Sequence, residues 1–341
     1  MNDPSSEVVS QAVEMKEMAA RLAGIEGLAL LPDEPLAQHT RFGLGGPAAI
    51  LADTASERAF VEALRMLGAS GIAWTVIGGG TNLIVSDLGY RGVVLRFHGA
   101  ALARDGERVQ AQAGATLQSV VDFAIGHGLE GVERMTGIPG FTGGAIYGNA
   151  GAYGQSIADT LESVRVFDGE RVRRLEGAEC AFRYRDSVFK RQKEWLILEA
   201  VFGLRNGDAE ALKASADEIL ATRNRKYPPD MRCAGSIFKN LILDELPETL
   251  RSQVPESVAK KGKAPAAWFL DQAGGRGLHR GGIHVAGYHA NLIYNDGTGS
   301  ARELRRLIGE LKRRVEARFG LRLEEEVQFL GCDDDLGSEE P

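Results

Sequence analysis

The sequence predicts an α+β fold, because helix-like and strand-like segments follow one another without the regular alternation of a βαβ array. Helices are predicted from apolar residues spaced three or four apart, at residues 6–24, 56–68, 117–125, 208–225 and 301–319. Strands are predicted from short apolar or alternating runs, at residues 74–77, 93–95, 161–168, 195–203, 283–296 and 321–330. Two glycine-rich stretches between these elements form loops, where functional sites commonly lie.

Several elements carry local signals. Thr116 is a helix-capping residue before 117–125, and Gly68 ends the helix that begins near residue 56. The helix 301–319 places apolar side chains on one face. The segment 244–265 is polar and contains three prolines, which predicts a surface insertion.

The composition restricts the function classes. The chain has 341 residues and a formal net charge of −7, so counterion release provides little drive for binding nucleic acid. No apolar run approaches the roughly 20 residues of a membrane span, and the first residues lack the features of a signal peptide. The three cysteines are far apart and match no metal-ligand spacing. We expect a cytoplasmic protein with no metal, membrane or nucleic-acid partner.

Directly after the predicted strand 74–77 comes the first glycine-rich motif, which consists of Gly78, Gly79, Gly80, Thr81, Asn82 and Leu83. Successive glycines expose backbone N–H groups at a turn, and such a turn can cradle a diphosphate. The motif is neither a P-loop nor a dinucleotide-binding fingerprint. On these residues alone, a tight structural turn explains it equally well.

The second glycine-rich motif runs from Gly137 to Gly154. Seven glycines in its eighteen residues disfavour a packed helix or strand. A flexible loop is one interpretation. The stretch is low in charge for a solvated linker, so we favour a loop wrapped on a flat cofactor.

Taken together, the motifs resemble the family of UDP-N-acetylenolpyruvoylglucosamine reductases, also called UDP-N-acetylmuramate dehydrogenases. The resemblance extends from about Thr40 to Gly331. Besides the glycine-rich motifs, it is carried in order by residues 40–46, 184–187, 235–240 and 326–331. Each short motif is weak alone, but their order and spacing together are specific.

This resemblance implies a two-part FAD-binding domain of the vanillyl-alcohol-oxidase-like (PCMH) type and a C-terminal α/β substrate domain. The expected division is a lead-in at 1–39, the FAD domain at 40–206, the substrate domain at 207–331 and an acidic tail at 332–341. Neither glycine motif offers a cysteine or histidine for covalent attachment, so FAD is expected to bind non-covalently. The implied FAD contacts are Gly78, Gly79, Gly80, Thr81, Asn82, Leu83, Gly137, Ile138, Pro139, Gly140, Thr142, Gly143, Gly144, Ala145 and Arg223.

The implied reaction reduces the enolpyruvyl ether of UDP-N-acetylglucosamine to the lactyl ether of UDP-N-acetylmuramate, with NADPH as electron donor. Arg185 matches the family's active-site arginine, and a guanidinium can bind a carboxylate through two hydrogen bonds. Ser236 matches the family's proton donor. Without the resemblance, Arg185 is a surface arginine paired with Asp186, and Ser236 is a turn or cap residue.

Glu326 matches the family's active-site glutamate by its register with Val327 and Gly331. Strand alternation alone points to a different residue, because Glu325 shares a face with the apolar side chains at 321, 323, 327 and 329. We follow the motif and take Glu326, while alternation keeps Glu325 as an alternative.

Further substrate contacts are implied at Lys226, Asn240 and Gln272. Lys226 and Arg223 alternatively offset the negative end of a helix dipole. The span from Arg185 to Lys226 is too short for the tyrosine loop of the family's longer form, so the chain resembles the loop-lacking type. Phe141 stands where the family commonly has a small residue.

Two other functions remain open at this stage. One is a different FAD-dependent alcohol oxidase or dehydrogenase of the same superfamily, which has no need of Arg185, Ser236 and Glu326. The other is a non-catalytic nucleotide-binding module, which leaves the second half of the chain unexplained. In each case we expect a monomer.

Overall fold

The computed structural model describes residues 4–332, with side chains described from residue 13 onward. Of the predicted acidic tail, residues 333–341 lie outside the described part. The α-helices are α1 (Pro4–Ala23), α2 (Glu57–Gly68), α3 (Leu117–Gly126), α4 (Thr142–Tyr147), α5 (Ala209–Lys226), α6 (Glu248–Arg251), α7 (Ala266–Gln272) and α8 (Ala301–Phe319). The strands are β1 (Ala29–Pro35), β2 (Pro47–Thr54), β3 (Trp74–Ile77), β4 (Leu83–Val85), β5 (Tyr90–Phe97), β6 (Leu102–Asp105), β7 (Arg108–Gln112), β8 (Leu129–Glu130), β9 (Gly151–Ala152), β10 (Gln155–Ser156), β11 (Leu161–Phe167), β12 (Val172–Glu176), β13 (Leu196–Gly203), β14 (Arg205–Asn206), β15 (Leu241–Ile242), β16 (Lys263–Ala264), β17 (His279–Arg280), β18 (Ile283–Val285), β19 (Ile293–Asn295) and β20 (Gln328–Leu330).

The α+β class is confirmed, and so are the predicted helices, which correspond to α1, α2, α3, α5 and α8. Their caps explain the agreement, because capping side chains satisfy N–H groups at a helix start that have no partner within the helix. Thr116 accepts a hydrogen bond from the N–H of Ser119 at the start of α3. Ser300 and Glu303 form a capping box at the start of α8, and Gly320 ends that helix at a φ of 64°.

The chain forms two compact units, which we call unit 1 and unit 2. Unit 1 comprises the described residues up to 34, together with 48–79 and 91–228. It contains a four-stranded sheet in the order β1-β2-β5-β3 and a five-stranded antiparallel sheet in the order β12-β11-β13-β7-β6. Helix α2 packs on the first sheet, where Phe60 stacks on Phe97 at 5.2 Å. Helix α3 buries its apolar face against the second sheet.

Unit 2 comprises residues 35–47, 80–90 and the described residues from 229. Its largest sheet has the order β17-β18-β19, and a second, parallel pair joins β20 to β4. The apolar face of α8 is buried, as its spacing predicted. Phe319, at the end of α8, meets the ring of Phe269 in α7 edge-on at 5.2 Å.

The compact units differ from the expected division of the chain at 206/207. Helix α5 belongs to unit 1, because Leu212 and Ala216 are buried in the core of that unit. Residues 80–90 belong to unit 2, because β4 pairs with β20, about 245 residues further along the chain. Pairing between strands so distant in sequence leaves no local signal from which a boundary can be predicted.

The segment 244–265, which was predicted as a surface insertion, is largely exposed and contains secondary structure. It contains α6, and β16 pairs with β15 in an antiparallel hairpin. Leu246, Leu250 and Val254 are buried. Their spacing of four residues is helical, but the surrounding polar residues and prolines mask it in the sequence.

Two further predictions need correction. The predicted strand 321–330 is regular only over β20, and Phe329 is exposed although it was placed on the core face. The glycine-rich stretch 137–154 includes the helix α4 and the β9–β10 pair. Gly143 lies within α4, and a Cβ there would be 3.1 Å from the Cβ of Ala113. Glycine therefore lets α4 pack closely, and the argument against helix from glycine content was wrong.

The N-cap of α5 gives a stability prediction. Asp208 accepts hydrogen bonds from the N–H groups of Glu210 and Ala211, each at 2.9 Å. We expect Asp208→Ala to lower the free energy of unfolding by about 1 kcal/mol in urea titrations. Asp217→Ala on the same helix is the control, because its exposed pair with Lys213 contributes less than about 0.5 kcal/mol. Equal losses in the two variants would contradict the capping role.

Candidate active site

The two glycine-rich motifs meet within unit 1. A Cβ placed on Gly79 would lie 3.3 Å from the Cα of Gly140 and 3.4 Å from the ring of Phe141. This close approach is compatible with glycine because a larger side chain would push the two loops apart. Gly78 and Gly79 of the first motif thus lie against Gly140 and Phe141 of the second, and a glycine-lined surface of this type suits a diphosphate or a flat ring.

Phe141, which the resemblance places where a small residue is common, lies against the first glycine motif. Its side chain packs against Gly78, where a Cβ would be 3.8 Å from the Cβ of Phe141. Thr142, the next residue, is fully buried, and its hydroxyl donates to the carbonyl of Ala115 at 2.9 Å. Phe141 therefore covers the glycine turn, and Thr142 fixes the start of α4.

Residues 80–83, the rest of the first motif, belong to unit 2. Gly80 has a φ of 60°, and a Cβ there would be 1.7 Å from the carbonyl oxygen of His39, so no other residue fits. The side-chain amide of Asn82 donates to the carbonyl of Glu326 at 2.9 Å. Leu83 pairs with Gln328 in the parallel β4–β20 ladder.

A cationic cluster lies beside the second motif in unit 1. Gly137 has a φ of 75°, and a Cβ there would be 3.1 Å from Cδ and Nε of Arg223. Arg223 and Lys226 both lie near the ring of Tyr227, at 5.7 and 4.9 Å from its centroid. The contact with Gly137 places Arg223 at the loop that was predicted to bind the cofactor. The same residues also occupy the last turn of α5, so the helix-dipole interpretation remains compatible.

Arg185 is held by main-chain carbonyls. Its Nη2 donates to the carbonyl of Gly151 at 2.9 Å, and its Nη1 donates to that of Asn149 at 3.3 Å. Its own carbonyl accepts a hydrogen bond from Lys190 at 2.7 Å. The backbone of Arg185 has a φ of 55°, an uncommon conformation for a residue other than glycine. These contacts fix the guanidinium against the second glycine-rich motif.

Asp186, the residue with which the surface interpretation pairs Arg185, also lies close to another arginine. Asp186 pairs with Arg191 at 2.5 Å.

Burial, and to a lesser extent the charge of Asp186, raises the pKa of Tyr147 above its ordinary value. The main-chain carbonyl of Tyr147 accepts a hydrogen bond from Ser187, which is fully buried.

Ser236 and Glu326 lie on neighbouring segments of unit 2. The N–H of Glu326 donates to the carbonyl of Ile237, the residue after Ser236, at 2.7 Å. Ser236 itself forms an antiparallel bridge with Leu292. The structure thus brings together two of the three predicted catalytic residues and Asn82 of the glycine turn, while Arg185 belongs to unit 1.

The neighbouring glutamates have other partners. Glu325 forms an ion pair with Lys312 of α8 at 2.8 Å. Glu324 is mostly exposed and pairs with Lys239. In extended chain, consecutive side chains point to opposite sides. Glu325 faces α8, which places Glu326 on the opposite side.

Asn240 and Gln272 lie on either side of the segment 244–265 in the sequence. The side-chain oxygen of Asn240 accepts a hydrogen bond from the N–H of Ala266 at 3.2 Å, at the start of α7. Gln272 ends α7, and its main-chain carbonyl accepts a hydrogen bond from Arg318 of α8. Both residues belong to unit 2, as do Ser236 and Glu326.

Asn291 is a site residue that the sequence analysis missed. It is buried, and its side-chain amide donates to the carbonyl of Phe238 and accepts from its N–H, each at 2.8 Å. Its main-chain carbonyl accepts from Ile237. Asn291 therefore fixes the segment that carries Ser236. The available signal was an asparagine inside the apolar run at residues 290–294.

Among residues 4–332, no helix combines the length and apolar character that a bilayer crossing requires. The two glycine loops and their sheets define a protein of the FAD-binding class. In agreement, residues 48–173 match the model of an FAD-binding domain.

Residues 227–330 match the model of the C-terminal domain of UDP-N-acetylenolpyruvoylglucosamine reductase. A protein named UDP-N-acetylenolpyruvoylglucosamine reductase from Solibacter usitatus is 53% identical over 311 residues, which cover 91% of this chain and all of that protein. One of the same name from Syntrophus aciditrophicus is 38% identical and covers 89% of this chain and 93% of its own length. The chain belongs to the UDP-N-acetylenolpyruvoylglucosamine reductase family.

A solved structure supports the same assignment. The crystal structure of UDP-N-acetylenolpyruvylglucosamine reductase from Thermus caldophilus matches with a TM-score of 0.69 at 28% identity. It covers 89% of this chain and 98% of the solved chain. The family assignment confirms the resemblance and leaves no support for a non-catalytic nucleotide-binding module.

The Asn291 contacts generate a prediction. We expect Asn291→Leu to lower the free energy of unfolding by about 2–5 kcal/mol, because two buried main-chain groups of Phe238 lose their partners. Denaturant titration measures this loss. Asn206→Leu is the matched control, since the side chain of Asn206 is exposed and donates a hydrogen bond to the carboxylate of Glu107. A loss no larger than that of the control would show that Asn291 does not fix this segment.

Proposed function

We propose that this chain reduces UDP-N-acetyl-3-O-(1-carboxyvinyl)-glucosamine to UDP-N-acetylmuramate, with FAD as cofactor and NADPH as electron donor. This reaction supplies a precursor of peptidoglycan. Support comes from the family assignment and from the match of both the FAD-binding and the C-terminal domain models.

The single observation that carries the proposal is the hydrogen-bonded set of Asn82, Ile237 and Glu326 in unit 2, in which Ile237 directly follows Ser236. Three segments far apart in sequence meet at the peptide groups of Glu326. Asn82 of the first glycine motif thereby lies beside the segments that carry a serine hydroxyl and a glutamate carboxyl group, the kinds of side chain that a proton-transfer step requires.

FAD, held by the two glycine-rich motifs and Arg223, would supply hydride transfer from NADPH to the terminal carbon of the enolpyruvyl group. Negative charge then develops on the adjacent carbon and its carboxylate. We propose that Arg185 binds this carboxylate. Main-chain carbonyls hold its guanidinium group in place, so the group is already oriented before the substrate binds.

We assign Ser236 as the donor of the proton that the adjacent carbon receives. A hydroxyl is a weak acid in water, but it can donate to a strongly basic carbon in a site that excludes water. Glu326 follows as the carboxyl group that restores the proton of Ser236. Its position beside Ile237 and opposite Glu325 supports this choice over Glu325.

Lys226, Asn240 and Gln272 are proposed substrate contacts, and Arg223 is a proposed flavin contact. The contact of Arg223 with Gly137 supports the latter. We further propose the loop-lacking type of the family, a cytoplasmic monomer and no nucleic-acid partner. The short span from Arg185 to Lys226 and the net charge of −7 support the first and last of these.

A Ser236→Ala variant tests the proton donor. We expect flavin reduction by NADPH to be nearly unchanged and flavin reoxidation by the enolpyruvyl substrate to slow by about 10²–10³. Anaerobic stopped-flow absorbance separates the two half-reactions. The control is Ser252→Ala, an exposed serine of unit 2 whose loss should change neither rate. Equal slowing of both half-reactions by Ser236→Ala would contradict the assignment.

An Arg185→Ala variant tests the carboxylate contact. The variant should retain bound flavin and its reduction by NADPH, while reoxidation by substrate slows by about 10²-fold or more, since a charge-assisted contact is lost. Arg191→Ala is the control, because this nearby exposed arginine pairs with Asp186. A colourless Arg185→Ala protein beside a yellow Arg191→Ala protein would show that Arg185 has a structural role.

A further inference from the structure

Unit 1 contains a polar cluster of Asp53, Arg96 and His98 that the proposed mechanism does not use. The carboxylate of Asp53 accepts hydrogen bonds from Nε and Nη2 of Arg96 at 2.9 and 2.7 Å. It also accepts one from Nδ1 of His98 at 2.9 Å, since a carboxylate can only accept. Burial opposes ionisation of Asp53, but these hydrogen bonds outweigh it and keep the pKa of its carboxyl below the ordinary value.

The cluster lies at the carboxyl end of β5, on the same edge as the first glycine motif. Strands β3 and β5 are parallel, with Ile77 opposite Arg96. Gly78 and Gly79 follow Ile77 directly, and His98 follows Arg96 by two residues. Because parallel strands run in step, the chain at His98 leaves the sheet beside Gly79.

His98 is also adjacent to the segment that supports the second glycine motif. A Cβ placed on Gly114 would lie 2.5 Å from both Cα and C of His98. Ala113, the residue before Gly114, contacts the position of Gly143 in α4 at 3.1 Å. The backbone of His98 therefore lies near the first glycine motif and against Gly114, next to the residue that packs on α4 of the second motif.

The ring of His98 is oriented by Asp53 and remains accessible. Its side chain is 43% exposed, whereas that of Asp53 is 16% exposed. With Nδ1 bonded to Asp53, Nε2 is the ring nitrogen left to a ligand. A carboxylate that fixes one nitrogen of an imidazole and so orients the other is a common arrangement in binding sites.

We infer that Nε2 of His98 binds the adenosine monophosphate half of FAD, and that Asp53 positions the ring for this contact. The glycine turn beside His98 suits a diphosphate, and the hydroxyl and phosphate groups of this half of FAD offer hydrogen-bond partners at the same edge. Arg96 holds Asp53 in place, because its planar guanidinium spans both carboxylate oxygens.

Two substitutions distinguish the roles of the two ring nitrogens of His98. His98→Asn keeps a polar atom near the position of Nδ1, so it preserves the Asp53 contact and loses the ligand contact. His98→Gln places a polar atom near the position of Nε2, so it preserves the ligand contact. His127→Asn is the control, because this exposed histidine of unit 1 bonds the carbonyl of Phe123.

The test is the dissociation constant of each apoprotein for FAD and for FMN, measured by quenching of flavin fluorescence. FMN lacks the adenosine part. We expect His98→Asn to weaken FAD binding by about 10-fold, with FMN binding unchanged and His98→Gln close to the unsubstituted protein. Asp53→Asn should weaken FAD binding by a smaller factor, again without an effect on FMN.

Three results would overturn this inference. One is an FAD dissociation constant of His98→Asn equal to that of the control. Another is equal weakening of FAD and FMN, which would indicate a general disturbance of the fold. A third is an unchanged FAD dissociation constant with a raised KM for NADPH, which would place the adenosine diphosphate of NADPH at His98 instead.

Discussion

The arrangement of unit 2 depends on one pair of hydrogen bonds at the main chain of Glu326. Its N–H donates to Ile237, and its carbonyl accepts from the side chain of Asn82. Buried or half-buried main-chain groups need such partners, and here the partners come from segments about 90 and 240 residues away. The two peptide groups that flank the Cα of Glu326 therefore hold together the segments that carry Asn82, Ser236 and Glu326.

In unit 1 the corresponding constraint is steric. Gly79 and Gly140 approach so closely that a methyl group on Gly79 would touch the facing loop. Main-chain carbonyls of the second loop then orient Arg185, and Gly137 gives Arg223 room to lie against the same loop. These glycines look like a sign of flexibility in the sequence, but Gly79, Gly137 and Gly143 each lie against a specific close neighbour.

Local signals in the sequence predicted local structure well. Helices α2, α3, α5 and α8 were predicted from apolar spacing and caps, which depend only on residues within a few positions of each other. The site residues came from the family resemblance, since no local pattern separates Ser236 from a turn serine. Features that depend on distant pairing were missed: the β4–β20 ladder, the role of Asn291 and the cluster around Asp53. Each of these joins residues at least 40 positions apart, where periodicity carries no information.

The run Glu324-Glu325-Glu326 shows how the fold separates three adjacent carboxylates. Like charges at one site would raise each other's pKa and disfavour ionisation. Here Lys239 pairs with Glu324, and Lys312 of α8 pairs with Glu325. Because α8 holds Glu325 on one side of the chain, Glu326 lies on the other side, next to the segment of Ser236. Alternation in the sequence pointed to Glu325, whose side chain is half-buried, and its ion pair with Lys312 is the physical reason that a carboxylate is tolerated at this position.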